Sequence, residues 1–193
     1  AISGDTLRLD AEAVLLATGR KPNTESLNLQ AAGIQTTNRG AIEVDSKLRT
    51  NIPNIWAIGD VHGGLQFTYL SLDDYRIIRE ELFGNGFRSL DDREAVAYSV
   101  FIDPPLAHVG LNETQARKME KNIKVASLPA AAMPRTRTIE QTDGLLKAVV
   151  DADTGKILGC TLFCAESSEV INTVSLAMRL GQDYTFLRDS IFT

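Results

Sequence analysis

The 193-residue chain has little of what usually announces chemistry: two cysteines, two histidines and one tryptophan. It also lacks any cluster of lysine and arginine, and with 25 acidic against 20 basic residues its net charge is −5. A nucleic-acid partner requires a basic face that neutralises phosphates, so none is expected. No apolar run approaches the roughly 20 residues of a membrane helix. The first residues lack the charged-then-apolar layout of a secretory signal. The expectation is a cytoplasmic protein with no membrane partner. Internal repeats and low-complexity stretches are also absent.

The cysteines, Cys160 and Cys164, stand in "GCTLFCAES", where the pattern is strand-like. Four positions along a strand separate two sulfurs by about 13 Å, too far for a bridge. A redox pair is one reading. Two small apolar residues on one face of a buried strand is the other, and the commoner fate of such a pair.

What is present suffices for a core, since 44% of the residues are hydrophobic,. Residues 13 to 17, Ala-Val-Leu-Leu-Ala, read as a short buried strand ended by Thr18-Gly19. The stretch from Arg20 to Thr50 carries Pro, Asn and Gly punctuation and reads as a loop with short strands. A second apolar run, Ile55 to Ile58, reads as a strand and stops at Gly59-Asp60. In "TYLSLDDYRIIREELFG" the residues Leu70, Leu72, Ile77, Ile78 and Leu82 recur at roughly helical spacing, and Gly84 supplies the stop.

Residues 85 to 94 are polar and read as a linker. Beyond them "AVAYSVFI", "IKVASLPAA", "GLLKAVVDA" and "KILGCTLFC" are strand-like, with Asp153-Thr154-Gly155 as a hairpin turn. Two helices accompany them. One is capped by Asn112 with Gln115 three positions on; the other carries Val170, Ile171, Val174, Ala177 and Met178 on one face and Gly181 past its end. The predicted fold class is α+β, an antiparallel sheet with helices preceded by part of an α/β domain.

The ends suggest a segment of a longer polypeptide. Thr6, Leu7, Arg8 and Leu9 alternate after a Gly4-Asp5 turn, as the second arm of a hairpin would, and "YTFLRDSIFT" stops in mid-pattern.

Three ordered stretches, "AVLLATGRKPNT", "NIWAIGDVHGG" and "SVFIDPPLAHVGLNETQA", closely resemble successive signatures of the FAD-dependent pyridine nucleotide-disulfide oxidoreductases, the family of glutathione reductase, lipoamide dehydrogenase and mercuric reductase. Within it, "GGLQFTYLSLDDYR" and "PAAAMPRTRTI" look most like the bacterial branch linked to resistance to reactive chlorine species and hypothiocyanous acid. The resemblance implies three pieces: residues 1–20 ending the NAD(P) domain, 21–92 in the FAD domain, and 93–193 forming a dimerisation domain that pairs with itself.

By the same resemblance Gly59 and Asp60 hold FAD, the aspartate accepting a hydrogen bond from a ribityl hydroxyl. Gly59 admits the ligand without a Cβ in the way. Thr68, with Phe67 beside it, lies near the flavin ring, where a backbone N–H at a helix start faces the ring carbonyl; alone, Thr68 would read as a helix N-cap. Gly19 lies near the nicotinamide cofactor, or simply in a turn. The cofactors implied are FAD and NAD(P)H.

No catalytic residue is expected within the chain. The family's Cys-x-x-x-x-Cys disulfide and His-Pro-x-x-x-x-Glu signature would lie outside it, so the segment alone should be inactive. His62 and His108 admit an acid–base role or a structural one. Arg135 and Arg137, read as sharing a strand face, would steer an anion or point into solvent. Two further readings stay open: a flavoenzyme of the NADH oxidase or coenzyme A-disulfide reductase type, and a self-standing dimerisation module without activity.

Overall fold

The computed structural model describes residues 8–192; the Gly4-Asp5 turn and most of the alternation after it lie outside these. One compact unit ends at Asp92 and a second begins at Arg93.

The first unit has a single α-helix, α1 (Thr68–Phe83), among the described residues. Its buried stripe is Leu70, Asp74 and Ile77, spaced at i, i+4 and i+7 as one helical face requires. Leu72 and Leu82, expected on that face, are 51% and 48% exposed. Position 72 lies about 200° around the helix from position 70. Gly84 caps the helix, its N–H donating to the Glu80 carbonyl. Leu48, Ala41, Ile42 and Ala57 are the other buried apolar residues of this unit.

Neither strand expected in this unit forms. Residues 13–17 have no regular structure, and Val14, Leu15 and Leu16 are 80%, 89% and 82% exposed. A strand exists only by pairing, and none of the described residues pairs with this run. The stretch before Asp60 is reduced to one antiparallel bridge, Arg49 with Trp56. The loop from Arg20 holds a 3₁₀ turn (Glu25–Leu27) and a Thr36–Ile42 bridge in place of short strands.

The polar stretch read as a linker is pinned to the first unit over most of its length. Lys47 Nζ donates to the carbonyls of Gly86 (2.6 Å) and Arg88 (2.8 Å). Leu90 N donates to Ser46 O at 2.9 Å, and Arg88 pairs with Asp73.

The second unit is a five-stranded antiparallel sheet in the order β1-β2-β5-β4-β3. Its strands are β1 (Tyr98–Val100), β2 (Leu106–Gly110), β3 (Ile123–Pro129), β4 (Leu145–Asp151) and β5 (Ile157–Phe163). β2 was not among the expected strands. The β4–β5 hairpin turns at the expected place, where Asp151 Oδ1 accepts from the backbone N–H of Thr154 (2.8 Å) and Asp153 (3.1 Å). Gly155 adopts φ +73° there, a conformation that glycine takes without strain.

Helix α2 (Glu113–Lys118) begins with the expected capping box, Asn112 and Gln115 each bonding the other's backbone N–H,. Helix α4 (Ser167–Arg179) lies on β2 and β5. Ile171 is buried beneath it with Ala107, Val109, Cys160 and Leu162, Val174 and Met178 pack at the margin, and Ala177 is also buried. Val170, expected on the same face, is 48% exposed. Helix α5 (Tyr184–Asp189) follows.

"PRTRT" is helix α3 (Pro134–Thr138), not a strand. Proline at the first helical position is preorganised for a helix, and buried Thr136 bonds back to the Met133 carbonyl at 3.0 Å. Arg135 and Arg137 therefore do not share a face; Arg135 pairs with Glu166 at 3.1 Å.

Candidate functional site

The candidate site lies in the first unit, where a 3₁₀ turn (Gly59–His62) meets the start of α1. Asp60 belongs to this turn rather than to a strand end. Ile42 N donates to Val61 O at 2.8 Å and Ala57 N to Leu48 O at 3.1 Å, which fastens the turn to the loop before it. Gly59 has φ +71°, which favours glycine. A Cβ here would lie 3.2 Å from Ser71 Oγ. A side chain here would thus be both strained and tight against α1, independently of any ligand.

The other side of the turn is held by a residue that the sequence reading missed. Asp74, 1% exposed, accepts from Gly59 N at 2.6 Å through Oδ2, and His62 Nε2 lies 3.1 Å from the same oxygen. The signal was available: a carboxylate between Leu70 and Ile77 on the apolar stripe of a helix must have polar partners. His62 is therefore tied up structurally. So is His108, whose Nδ1 lies 2.8 Å from Thr161 Oγ1 and Nε2 2.9 Å from Gly110 O.

Asp60 contrasts with Asp74. Its side chain is exposed and has no hydrogen bond or ion pair with any described residue. Phe67 is the N-cap of α1, with no side-chain cap bond, and Thr68 is the first helical residue rather than the cap. The Thr68 N–H has no backbone partner among the described residues, as expected for the orphan donors of a helix start. Phe67 and Tyr69 stack with ring centroids 5.2 Å apart. An unpartnered carboxylate that accepts from hydroxyls and an unpartnered N–H that donates to a carbonyl suit a ligand such as FAD in donor chemistry. Gly19, at φ +106°, stands in the unpaired segment, and no hydrogen bond joins it to this turn.

Cys160 and Cys164 are free and buried. Burial first, and the neighbouring Cys164 second, push the Cys160 thiol up to about 11; burial likewise raises Cys164. The buried Cys160 is thereby disfavoured as a thiolate, the reactive form,. Both thiols should stay unmodified by a disulfide reagent in the native protein and react on denaturation. Rapid native labelling would mean that the core of the second unit opens readily. A cavity of about 150 Å³ borders Cys160, with Asn112, Glu113, Lys147 and Thr161 in its wall. Its charges are already paired, Glu113 accepting from Lys147 (2.5 Å) and Arg117 (2.9 Å). No cluster of potential metal ligands occurs, and no helix is long and apolar enough to cross a membrane, among the described residues.

Comparison with known proteins gives the family of the chain. Residues 96–193 match the pyridine nucleotide-disulphide oxidoreductase dimerisation domain, and residues 1–74 match the pyridine nucleotide-disulphide oxidoreductase family. The chain is 53% identical over 192 residues to the probable pyridine nucleotide-disulfide oxidoreductase RclA of Escherichia coli, covering 100% of this chain and 44% of that protein. It is 36% identical to a Staphylococcus aureus mercuric reductase (98% of this chain, 34% of that one). It is 38% identical to a Geobacillus stearothermophilus dihydrolipoyl dehydrogenase (93% and 38%). The chain thus spans less than half the length of these relatives. The solved structure of the HOCl-induced flavoprotein disulfide reductase RclA from Escherichia coli superposes with a TM-score of 0.88 at 55% identity, covering 92% of this chain and 41% of that one. The chain belongs to the pyridine nucleotide-disulphide oxidoreductases, whose members use FAD and NAD(P)H.

Proposed function

We propose that the chain is part of a homodimeric, cytoplasmic flavoprotein that carries electrons from NAD(P)H through FAD to a redox-active disulfide and on to a disulfide, metal or oxidant substrate. Residues 1–20 close the NAD(P) domain in this reading, 21–92 belong to the FAD domain and 93–193 form the dimerisation domain. The observation that carries it is the unpartnered Asp60 carboxylate in a turn that contacts α1, the helix whose start offers the unpartnered Thr68 N–H.

When bound, FAD supplies the two-electron relay between nicotinamide and disulfide. Asp60 would accept a hydrogen bond from a ribityl hydroxyl, and the Thr68 N–H, at the positive end of α1, would stabilise negative charge on the ring. Phe67 would serve the flavin side of the site and Gly19 the nicotinamide side. Neither buried cysteine serves as the redox pair, so the disulfide is supplied by sequence outside the chain. The likeness to a relative described as HOCl-induced favours an oxidant-response role.

The test is flavin content. The full-length gene product should purify yellow, and its Asp60→Ala variant should lose most of its flavin absorbance while remaining folded. The 193-residue chain alone should show no NAD(P)H-dependent turnover. Retention of stoichiometric FAD by Asp60→Ala would overturn the assignment.

A further inference from the structure

The buried Asp74 carboxylate has a use beyond stability. It projects from the middle of α1, and its single oxygen Oδ2 meets two points of the Gly59–His62 turn: the Gly59 N–H at 2.6 Å and His62 Nε2 at 3.1 Å. These points flank Asp60, whose exposed side chain has no hydrogen bond or ion pair with any described residue. Ser71, one helical turn earlier on α1, lies against Gly59. The same helix begins at Thr68.

We propose that Asp74 is the positioning residue of the flavin turn, setting the place of the Asp60 carboxylate relative to the Thr68 N–H. This rests on the flavin reading above. The physical argument is preorganisation. A four-residue turn containing a positive-φ glycine has several accessible conformations, and a ligand that had to select one would bind more weakly by the fraction populated. A carboxylate buried beneath the turn selects one conformation in advance. Any departure would cost the buried Asp74 carboxylate these two contacts,. Because α1 carries both Asp74 and the Thr68 N–H, one rigid element holds the two ligand-facing groups in register. A buried polar group at this position costs desolvation that an apolar residue would avoid. Its double contact with the turn is the return for that cost.

The experiment uses the full-length holoenzyme with four variants: Asp74→Ala, Asp74→Asn, Asp60→Ala and Ile77→Ala. Ile77 is fully buried on the same face of α1, so its truncation reports destabilisation of the helix without touching the turn. FAD dissociation constants are measured well below each variant's Tm, together with the visible spectrum of the bound flavin. Asp74→Ala should weaken FAD binding about 10- to 100-fold, the scale of losing hydrogen bonds to a charged group, and should change the bound flavin's spectrum. Asp74→Asn, which keeps an oxygen but not the charge, should weaken it roughly threefold to tenfold. Ile77→Ala should lower Tm yet keep affinity within about twofold and leave the spectrum unchanged.

Two results overturn the proposal while leaving the flavin site intact: wild-type affinity and spectrum in both Asp74 variants, or an equal loss in Ile77→Ala, each seen while Asp60→Ala loses FAD. If Asp60→Ala itself retains FAD, the flavin reading and this inference fall together. Should Asp74→Ala not fold, the Asp74→Asn measurement decides alone.

Discussion

Gly159→Ala is expected to prevent the second unit from folding, or to lower its stability by about 4 kcal/mol or more. At this position on β5 an added Cβ would lie 2.0 Å from Leu111 O and 2.7 Å from Leu111 N. Both are backbone atoms, just past the end of β2, and Leu111 N is itself bonded to Leu158 O at 2.8 Å. A side chain in the way would rotate aside; a backbone can move only by breaking its ladder. The partner across the register is Gly110, where a Cβ would meet Leu158 O at 2.3 Å. The two glycines let the chains approach closely. Gly159 does not need a left-handed backbone, so the effect is purely one of space. Thermal denaturation should show a loss of roughly 15–30 °C in Tm, or no transition. A Tm within about 5 °C of wild type would show that the β2–β5 seam is looser than described.

Ile171→Ala should cost about 2–5 kcal/mol. Ile171 is 1% exposed on the face of α4 that covers β2 and β5, among Ala107, Val109, Cys160 and Leu162. Several of these neighbours are small and have little side chain with which to fill the vacated space. Ile171→Val keeps most of the volume and should cost only about 0.5–1.5 kcal/mol. Denaturant midpoints for the two variants test the gradation. Equal midpoints would indicate that α4 settles onto the sheet when trimmed, so that cavity formation is not what the helix resists.

The structural elements that could be read in advance were those whose signals are local. The Asn112–Gln115 capping box, the Gly84 and Gly181 stops and the Asp153-Thr154-Gly155 turn each act within a few residues, and each is where the sequence placed it. Strands are different, because they depend on partners distant in the chain. Residues 13–17 carry as good a strand pattern as β4, yet they have no strand partner among the described residues and stay irregular and exposed. β2 went unread because "LAHVG" is short and half of small residues; its place is set by β5. "PRTRT" alternates like a strand, but Pro134 begins a helical turn there. At the site, Gly59, Asp60, Phe67 and Thr68 were named through resemblance to a family; the structure puts the first two in the 3₁₀ turn and the other two at the start of α1. Asp74 was legible physically, as a charge on the wrong face of a helix, and was passed over because the stripe was drawn through Leu72 instead.

The strand order also has a consequence in time. β2 finds its inner partner only in β5, with His108 and Thr161 lying 53 residues apart in the chain. During synthesis at roughly 5–20 residues per second, the inner edge of β2 therefore waits about 3–10 s after emerging from the ribosome before β5 follows. Over that interval its backbone donors and acceptors are open to any other strand. The seam that gives the finished sheet its tight glycine contact can thus close only after β5 has emerged, and until then β2 is open to mispairing,.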